Sequence, residues 1–330
     1  MGPGIAPPRS TKTERSVVLI YQALTRKRGA VSMKPTEAVA STALNALSLV
    51  SGRLAGKGAF ALFHMPLVRS RLRSSERELL DSARVGRIEV GGGKYAVTYR
   101  WGDGSRPVLL VHGWQSRASR LSSLVPGLLE RGHSVVTFDA PAHGDAGGRG
   151  TTILDYRDIV SELHAEYGTF DCLIAHSMGV LGSFFGLRNG AVARKVVTVS
   201  GVCDFDYLIE EFSAELNLRG SLKARLRDEI RVNLFPDLPH DEVPFSLTDM
   251  TETVSAPLLV IHDEDDTRIR VDQGRRIAEA FGDRARLVVT SGLGHRRILG
   301  DEEVVRTVLD FVSQGRRPAD GVEARAAVLD

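Results

Sequence analysis

A serine, a group of carboxylates and a histidine follow one another along this chain in an order suited to acyl transfer. Ser177 lies in the stretch Cys172 to Ser183, C-L-I-A-H-S-M-G-V-L-G-S. The apolar run Cys172, Leu173, Ile174, Ala175 precedes it, and an apolar, helix-compatible segment (Val180, Leu181, Phe184, Phe185, Leu187) follows. The pattern predicts a strand, a sharp turn and a helix, with Ser177 at the apex. Such a turn leaves the hydroxyl reachable and sets the next amide at a helix N-terminus, where negative charge is favoured. The same residues also fit an ordinary serine cap opening a helix, so this segment alone does not decide. A serine hydroxyl is a poor nucleophile at neutral pH. It needs a base, and the base needs a carboxylate to fix its tautomer and stabilise its cation. Downstream lie His262-Asp263-Glu264-Asp265-Asp266 and then Gly292-Leu293-Gly294-His295.

The elements that must hold these residues show in the hydrophobic pattern. Arg87 to Val90 and Tyr95 to Trp101, joined by Gly91-Gly92-Gly93, predict a β-hairpin. Short apolar runs then alternate with helical segments: Val108 to Val111, Val135 to Phe138, Leu173 to Ala175, Val196 to Val199, Leu258 to Ile261 and Leu287 to Val289. This alternation predicts an α/β fold, an eight-stranded, mainly parallel, doubly wound sheet covered by helices on both faces. In such sheets ligands bind at the carboxyl ends of the strands. The segments found there are His112-Gly113-Trp114-Gln115, Asp139 to Gly144, His176-Ser177, His262 to Asp266 and Gly292 to His295. The connection from Val199 to Leu258 is far longer than a crossover needs. It carries one amphipathic segment (Phe205, Leu208, Ile209, Phe212, Leu216) and a second opened by Ser221 (Leu222, Leu226, Ile230), then Pro236, Pro239 and Pro244. Residues 202–256 are therefore expected to form a helical lid over one end of the sheet.

With these motifs in order, the chain resembles the α/β-hydrolase superfamily, on an esterase-like branch. The motifs are V-H-G-W (111–114), F-D-A-P-A-H-G (138–144), A-H-S-M-G (175–179), I-H-D-E-D-D (261–266) and G-L-G-H-R-R-I-L (292–299). The resemblance implies Ser177 as nucleophile, His295 as base and Asp266 as acid, the last because the family places its acid four residues after the position of His262. An acid after the preceding strand, at Asp204 or Asp206, is the alternative. The backbone amides of Trp114 and Met178 would form the oxyanion hole. Gln115, His143, His176, Phe205 and Phe212 are candidates for the substrate pocket. Asp263 is expected to cap its loop, Asp265 to be solvated, and His112 and His262 to be structural. Departures are Ala175 for the first glycine of the elbow, Val180 where glycine is frequent, and Pro141 where arginine is frequent. The implied activity is hydrolysis of a small-molecule carboxylic ester or thioester through an acyl-enzyme, with no cofactor and no metal. A non-catalytic binding protein on the same fold is the rival.

Composition bounds the rest. The 330 residues are 42% hydrophobic and 25% charged, with net charge +2, so no polyelectrolyte partner such as nucleic acid is implied. The two cysteines, Cys172 and Cys203, make no disulfide framework, and the expected setting is cytoplasmic. Residues 1–84 nevertheless hold fourteen Lys/Arg against five Asp/Glu. Residues 1–35 are expected to be mobile, with Met33 as an alternative start. Residues 36–85 are expected to form a helical extension, residues 86–315 the hydrolase domain, and residues 316–330 a frayed tail. Within the extension Ser41, Asn45, Ser48 and Gly52 mark one stripe of an amphipathic helix packed on the protein's own body. Ser75 to Glu78 suggests a capping box opening a helix to Ala83. The basic extension also makes weak association with an anionic membrane an expectation to test. The sequence sets no oligomeric state.

Overall fold

Five short runs have no polar face, and each becomes a strand buried on both sides: β3 (Pro107–Val111), β4 (Ser134–Asp139), β5 (Cys172–His176), β6 (Val196–Val199) and β7 (Leu258–Asp263). The half-exposed runs β1 (Arg84–Gly91) and β8 (Ala285–Thr290) take the two edges, and β2 (Lys94–Trp101) lies beside β1. The computed structural model describes residues 35–237 and 245–314. The expectations for residues 1–34, for Pro239 and Pro244, and for the tail from residue 315 lie outside the described residues.

The eight strands form one sheet in the order β1-β2-β4-β3-β5-β6-β7-β8. The β1–β2 and β2–β4 pairs are antiparallel, and every pair from β4 across to β8 is parallel. The hairpin turn at Gly91, Gly92 and Gly93 has positive φ at all three residues, which glycine adopts without steric cost. Alternate residues of the buried strands feed two cores. Leu109, Val111, Leu173 and Ala175 face one cluster, with α5 (Ile153–Tyr167), α6 (Met178–Arg188) and α9 (Val271–Phe281). Val108, Leu110, Cys172 and Ile174 face the other, with α4 (Val125–Glu130) and α11 (Glu302–Ser313). The doubly wound sheet expected from the sequence is the one observed.

The long insertion holds α7 (Phe205–Glu215) and α8 (Gly220–Leu234). Helix α8 starts one residue before Ser221, with Arg219 at its N-cap and no side-chain cap from its own segment. The N-terminal extension contributes α1 (Pro35–Val50), α2 (Gly52–Phe63) and α3 (Ser74–Asp81). The helix expected to carry the stripe to Gly52 ends at Val50, because the Ser51 hydroxyl accepts the Leu54 amide and opens α2. Helix α3 is shifted from expectation: it starts at Ser74, and the carboxylate of Glu76 accepts the Arg73 amide at 3.2 Å. Glu76 is buried, and it also takes the Ser119 hydroxyl at 2.7 Å and the guanidinium of Arg120. A charge pair thus pins the extension to the sheet domain.

Helix α1 does pack on the body of the protein, but by its polar stripe. Ser41 and Leu44 are buried, and Asn45 reaches the long insertion. The Asn45 amide donates to Asn217 O at 3.0 Å, and its oxygen accepts the Arg219 amide at 3.1 Å. Val39, Leu49 and Val50 stand exposed on the other side of the helix.

Candidate active site

Strand β5 ends and α6 begins with no loop between them except Ser177. Its backbone sits at φ 58°, ψ −129°, a region that L-residues rarely occupy. Hydrogen bonds hold it there: its N–H donates to Val199 O and its carbonyl accepts from the Val180 amide, both at 3.1 Å. Two glycines make the fit possible. A Cβ on Gly113 would stand 2.6 Å from Ser177 Cβ and 2.9 Å from His176 O. A Cβ on Gly179 would stand 2.5 Å from His112 O. The loop after β3 and the turn after β5 therefore press together at main-chain distance.

Three residues from three strand ends converge. His295 Nε2 lies 3.0 Å from Ser177 Oγ, and His295 Nδ1 lies 2.8 Å from Asp266 Oδ2. Charge assigns the proton on Nδ1 to the bond with the carboxylate, leaving Nε2 to accept the serine O–H. The other oxygen of Asp266 accepts the amides of Arg268 at 2.8 Å and Ile269 at 3.0 Å. Burial pushes the Asp266 carboxyl up, but the His295 bond and the two amides outweigh it and hold it below the ordinary carboxylate range. The alternative acids point elsewhere: Asp204 pairs with Arg276 and Ser246, and Asp206 with Arg227.

Around this chain the loops are tied by buried polar groups. Asp263, fully buried at the end of β7, accepts the amides of Leu293 at 3.1 Å and Gly294 at 2.9 Å, and the Thr290 hydroxyl at 2.7 Å. It also caps its own loop through the Asp265 amide at 3.1 Å. The exposed Asp265 is more than a solvated charge, since it accepts the Gly292 amide at 2.8 Å. His176 grips the same histidine from below: its Nε2 lies 2.9 Å from His295 O, and the two rings stand 4.7 Å apart. His262 is buried, and its Nε2 lies 2.8 Å from Ile269 O, which bounds the loop carrying Asp266.

On the β3–β4 side, His143 Nε2 accepts the Gln115 amide at 3.0 Å, and His143 Nδ1 meets Pro141 O at 3.0 Å. His112 Nε2 accepts the Ala140 amide at 3.0 Å. Two histidines thereby staple the loops after β3 and β4, which are neighbours in the sheet. Burial pushes His112 down to about 4, and His143 and His176 down to about 3, so all three stay neutral. The Trp114 ring stands 5.4 Å from that of His143, edge-on. Among the described residues, the main-chain amides of Trp114 and Met178 have no hydrogen-bond acceptor. Of the pocket candidates, Gln115 and His143 belong to these loops and His176 ends β5, with both histidines buried. Phe205 does not line an opening: it is 2% exposed and packs edge-on against Phe235 and Phe63. Phe212 is half-buried against Phe63. No group of three or more His, Cys, Asp or Glu among the described residues is arranged to hold a metal ion.

The chain that carries this site has similar chains among known proteins. The human protein ABHD12B is 26% identical over 231 residues, which cover 64% of this chain and 62% of that protein. This chain therefore spans less than two thirds of that relative's length. Among solved structures, an esterase from Pyrococcus furiosus matches 76% of this chain and 97% of its own, with a TM-score of 0.55 and 22% identity. A bromoperoxidase from Bacillus anthracis matches 69% of this chain and 99% of its own, with a TM-score of 0.54 and 17% identity. At such identities these two show a shared fold. The family described as Alpha/beta hydrolase family matches residues 108–307, from β3 into α11, a span that holds every residue gathered around Ser177. By that match the chain belongs to the alpha/beta hydrolase family.

Proposed function

We propose that this chain is a serine hydrolase that cleaves a carboxylic ester or thioester through an acyl-enzyme. The observation that carries the proposal is the unbroken hydrogen-bond chain from Ser177 Oγ through His295 to Asp266, at 3.0 and 2.8 Å. Ser177 Oγ attacks the acyl carbon as His295 Nε2 takes its proton. Asp266, held ionised by its amide donors, stabilises the imidazolium. The tetrahedral oxygen turns toward the amides of Met178 and Trp114, and Gly113 lets that loop come close enough to serve. The His295 imidazolium then protonates the leaving oxygen or sulfur. Water, deprotonated by the same nitrogen, hydrolyses the acyl-serine. The likeness to an esterase fold supports this chemistry, while the bromoperoxidase shows that the fold by itself selects none.

The test is turnover of short p-nitrophenyl esters together with labelling by a fluorophosphonate probe. Ser177→Ala is expected to lower turnover by at least about 10³-fold and to abolish labelling. Equal turnover in the two proteins would overturn the assignment. A well-folded wild type that neither labels nor turns over would mark the chain as a binding protein on a hydrolase fold.

A further inference from the structure

Helix α1 is amphipathic in the unusual sense that its polar side faces the protein. Ser41 and Leu44 are buried and Asn45 bonds the lid, whereas Val39, Ala43, Ala46 and Val50, spaced at i, i+4, i+7 and i+11, share one exposed face. Leu47 and Leu49 flank that face, and Leu54 is exposed in the first turn of α2. Val50 is 87% exposed and Leu49 69%. With Leu67 and Val68, this short region holds seven of the eleven exposed large hydrophobic residues found among the described residues. A single exposed leucine means little, but such a concentration marks an interaction surface.

Charge indicates what it meets. Residues 38–75 contain no Asp or Glu and five basic residues, Arg53, Lys57, Arg69, Arg71 and Arg73. The thirty-seven residues before them hold seven Lys/Arg against two Glu. A second copy brought to this face would set like charge against like. An anionic surface would be attracted by the same residues that repel a copy. No helix among the described residues is long and apolar enough to cross a membrane, so the geometry suits lying on a bilayer. We propose that the α1–α2 hairpin docks on an anionic lipid bilayer, its apolar face entering the headgroup boundary and the surrounding Lys and Arg meeting lipid phosphates. Because α1 holds the start of α8 through Asn45, docking would set the lid helices beside the membrane. The proposal stands apart from the catalytic one, since sedimentation reads it without turnover.

The experiment is co-sedimentation of the full chain with vesicles of pure phosphatidylcholine and with vesicles containing about one-third phosphatidylglycerol, at about 0.1 M and about 0.5 M salt. The wild type is expected to bind the anionic vesicles at least about tenfold more tightly, and to lose most of that binding at high salt. Val50→Asp with Leu54→Asp, both at exposed positions, should abolish binding with the melting temperature and short-ester turnover unchanged. Arg53→Gln with Lys57→Gln, both exposed on α2, should weaken it. Absence of wild-type binding, equal binding to both vesicles, or variants that bind like the wild type would each overturn the proposal. A dimer that dissociates on Val50→Asp, without vesicle binding, would assign the face to a second copy.

Discussion

Ser177 holds a backbone conformation that costs on the order of 1–3 kcal/mol, and such strain persists only where its surroundings over-determine it. Gly113 has no room to change, since a Cβ there would lie 2.6 Å from Ser177 Cβ. Gly113→Ala should therefore displace either the serine or the Trp114 amide by a substantial fraction of an ångström. The expected result is a fall in kcat of about 10²-fold with the fold retained, checked by ester turnover beside a thermal melt. The two buried aspartates of the β7 loop should separate by function. Asp266→Asn replaces the carboxylate that sets the His295 tautomer, and kcat should fall by about 10⁴-fold. Asp263 touches His295 only through the amides of Leu293 and Gly294, so Asp263→Ala should cost a smaller factor of about 10–100 in kcat. Both variants are to be read as kcat against KM over a pH series. An Asp263→Ala enzyme with unchanged kcat would show that the histidine loop holds itself.

At the scale of elements, α1 and α8 depend on one side chain. Helix α8 has no side-chain cap of its own, and Asn45, distant in sequence, accepts the Arg219 amide instead. Asn45→Ala is expected to cost about 1 kcal/mol, as loss of a cap does, and to speed hydrogen exchange at the Arg219 amide. Unchanged exchange there would separate the extension from α8. The same contact shows why some elements were legible in the sequence and others were not. Strands β3 to β7 are buried on both faces, so every position demands an apolar residue and the run announces itself. Ser177 and Asp266 were legible because each follows such a strand, and His295 because it follows the shorter apolar run of the edge strand β8. The periodicity of α1 revealed a helix, but not that Asn45 on its polar side accepts the Arg219 amide at the start of α8. Phe205 likewise has the residue type of a pocket wall and is core, because Phe63 and Phe235 close over it. The staple from His143 to Gln115 depends on two loops meeting across β3 and β4, which residue spacing does not encode.

For the whole molecule, the buried histidines set a direction for stability against pH. Burial holds His112 at about 4 and His143 and His176 at about 3, and it also lowers His262. In the unfolded chain each would take its proton near 6.5. Between that value and the folded one the unfolded state binds more protons, so acidification favours unfolding. Stability from these groups is complete above about pH 6.5 and falls as the pH drops, by up to about 1.4 kcal/mol per unit for each histidine. Protonation would also remove the acceptors of two main-chain amides, since His143 Nε2 takes that of Gln115 and His112 Nε2 that of Ala140. Asp266 acts in a lower window: its folded value lies below the ordinary one, so its contribution is present above about pH 4 and is lost below it. The urea midpoint is therefore expected to fall steadily from pH 7 to pH 5. Replacing one buried histidine, as in His143→Asn, should lower the midpoint at pH 7 yet flatten its slope with pH. A wild-type midpoint that stays level from pH 7 to pH 5 would mean that these histidines take protons in the folded state, and that the loops they tie around Ser177 tolerate a charge.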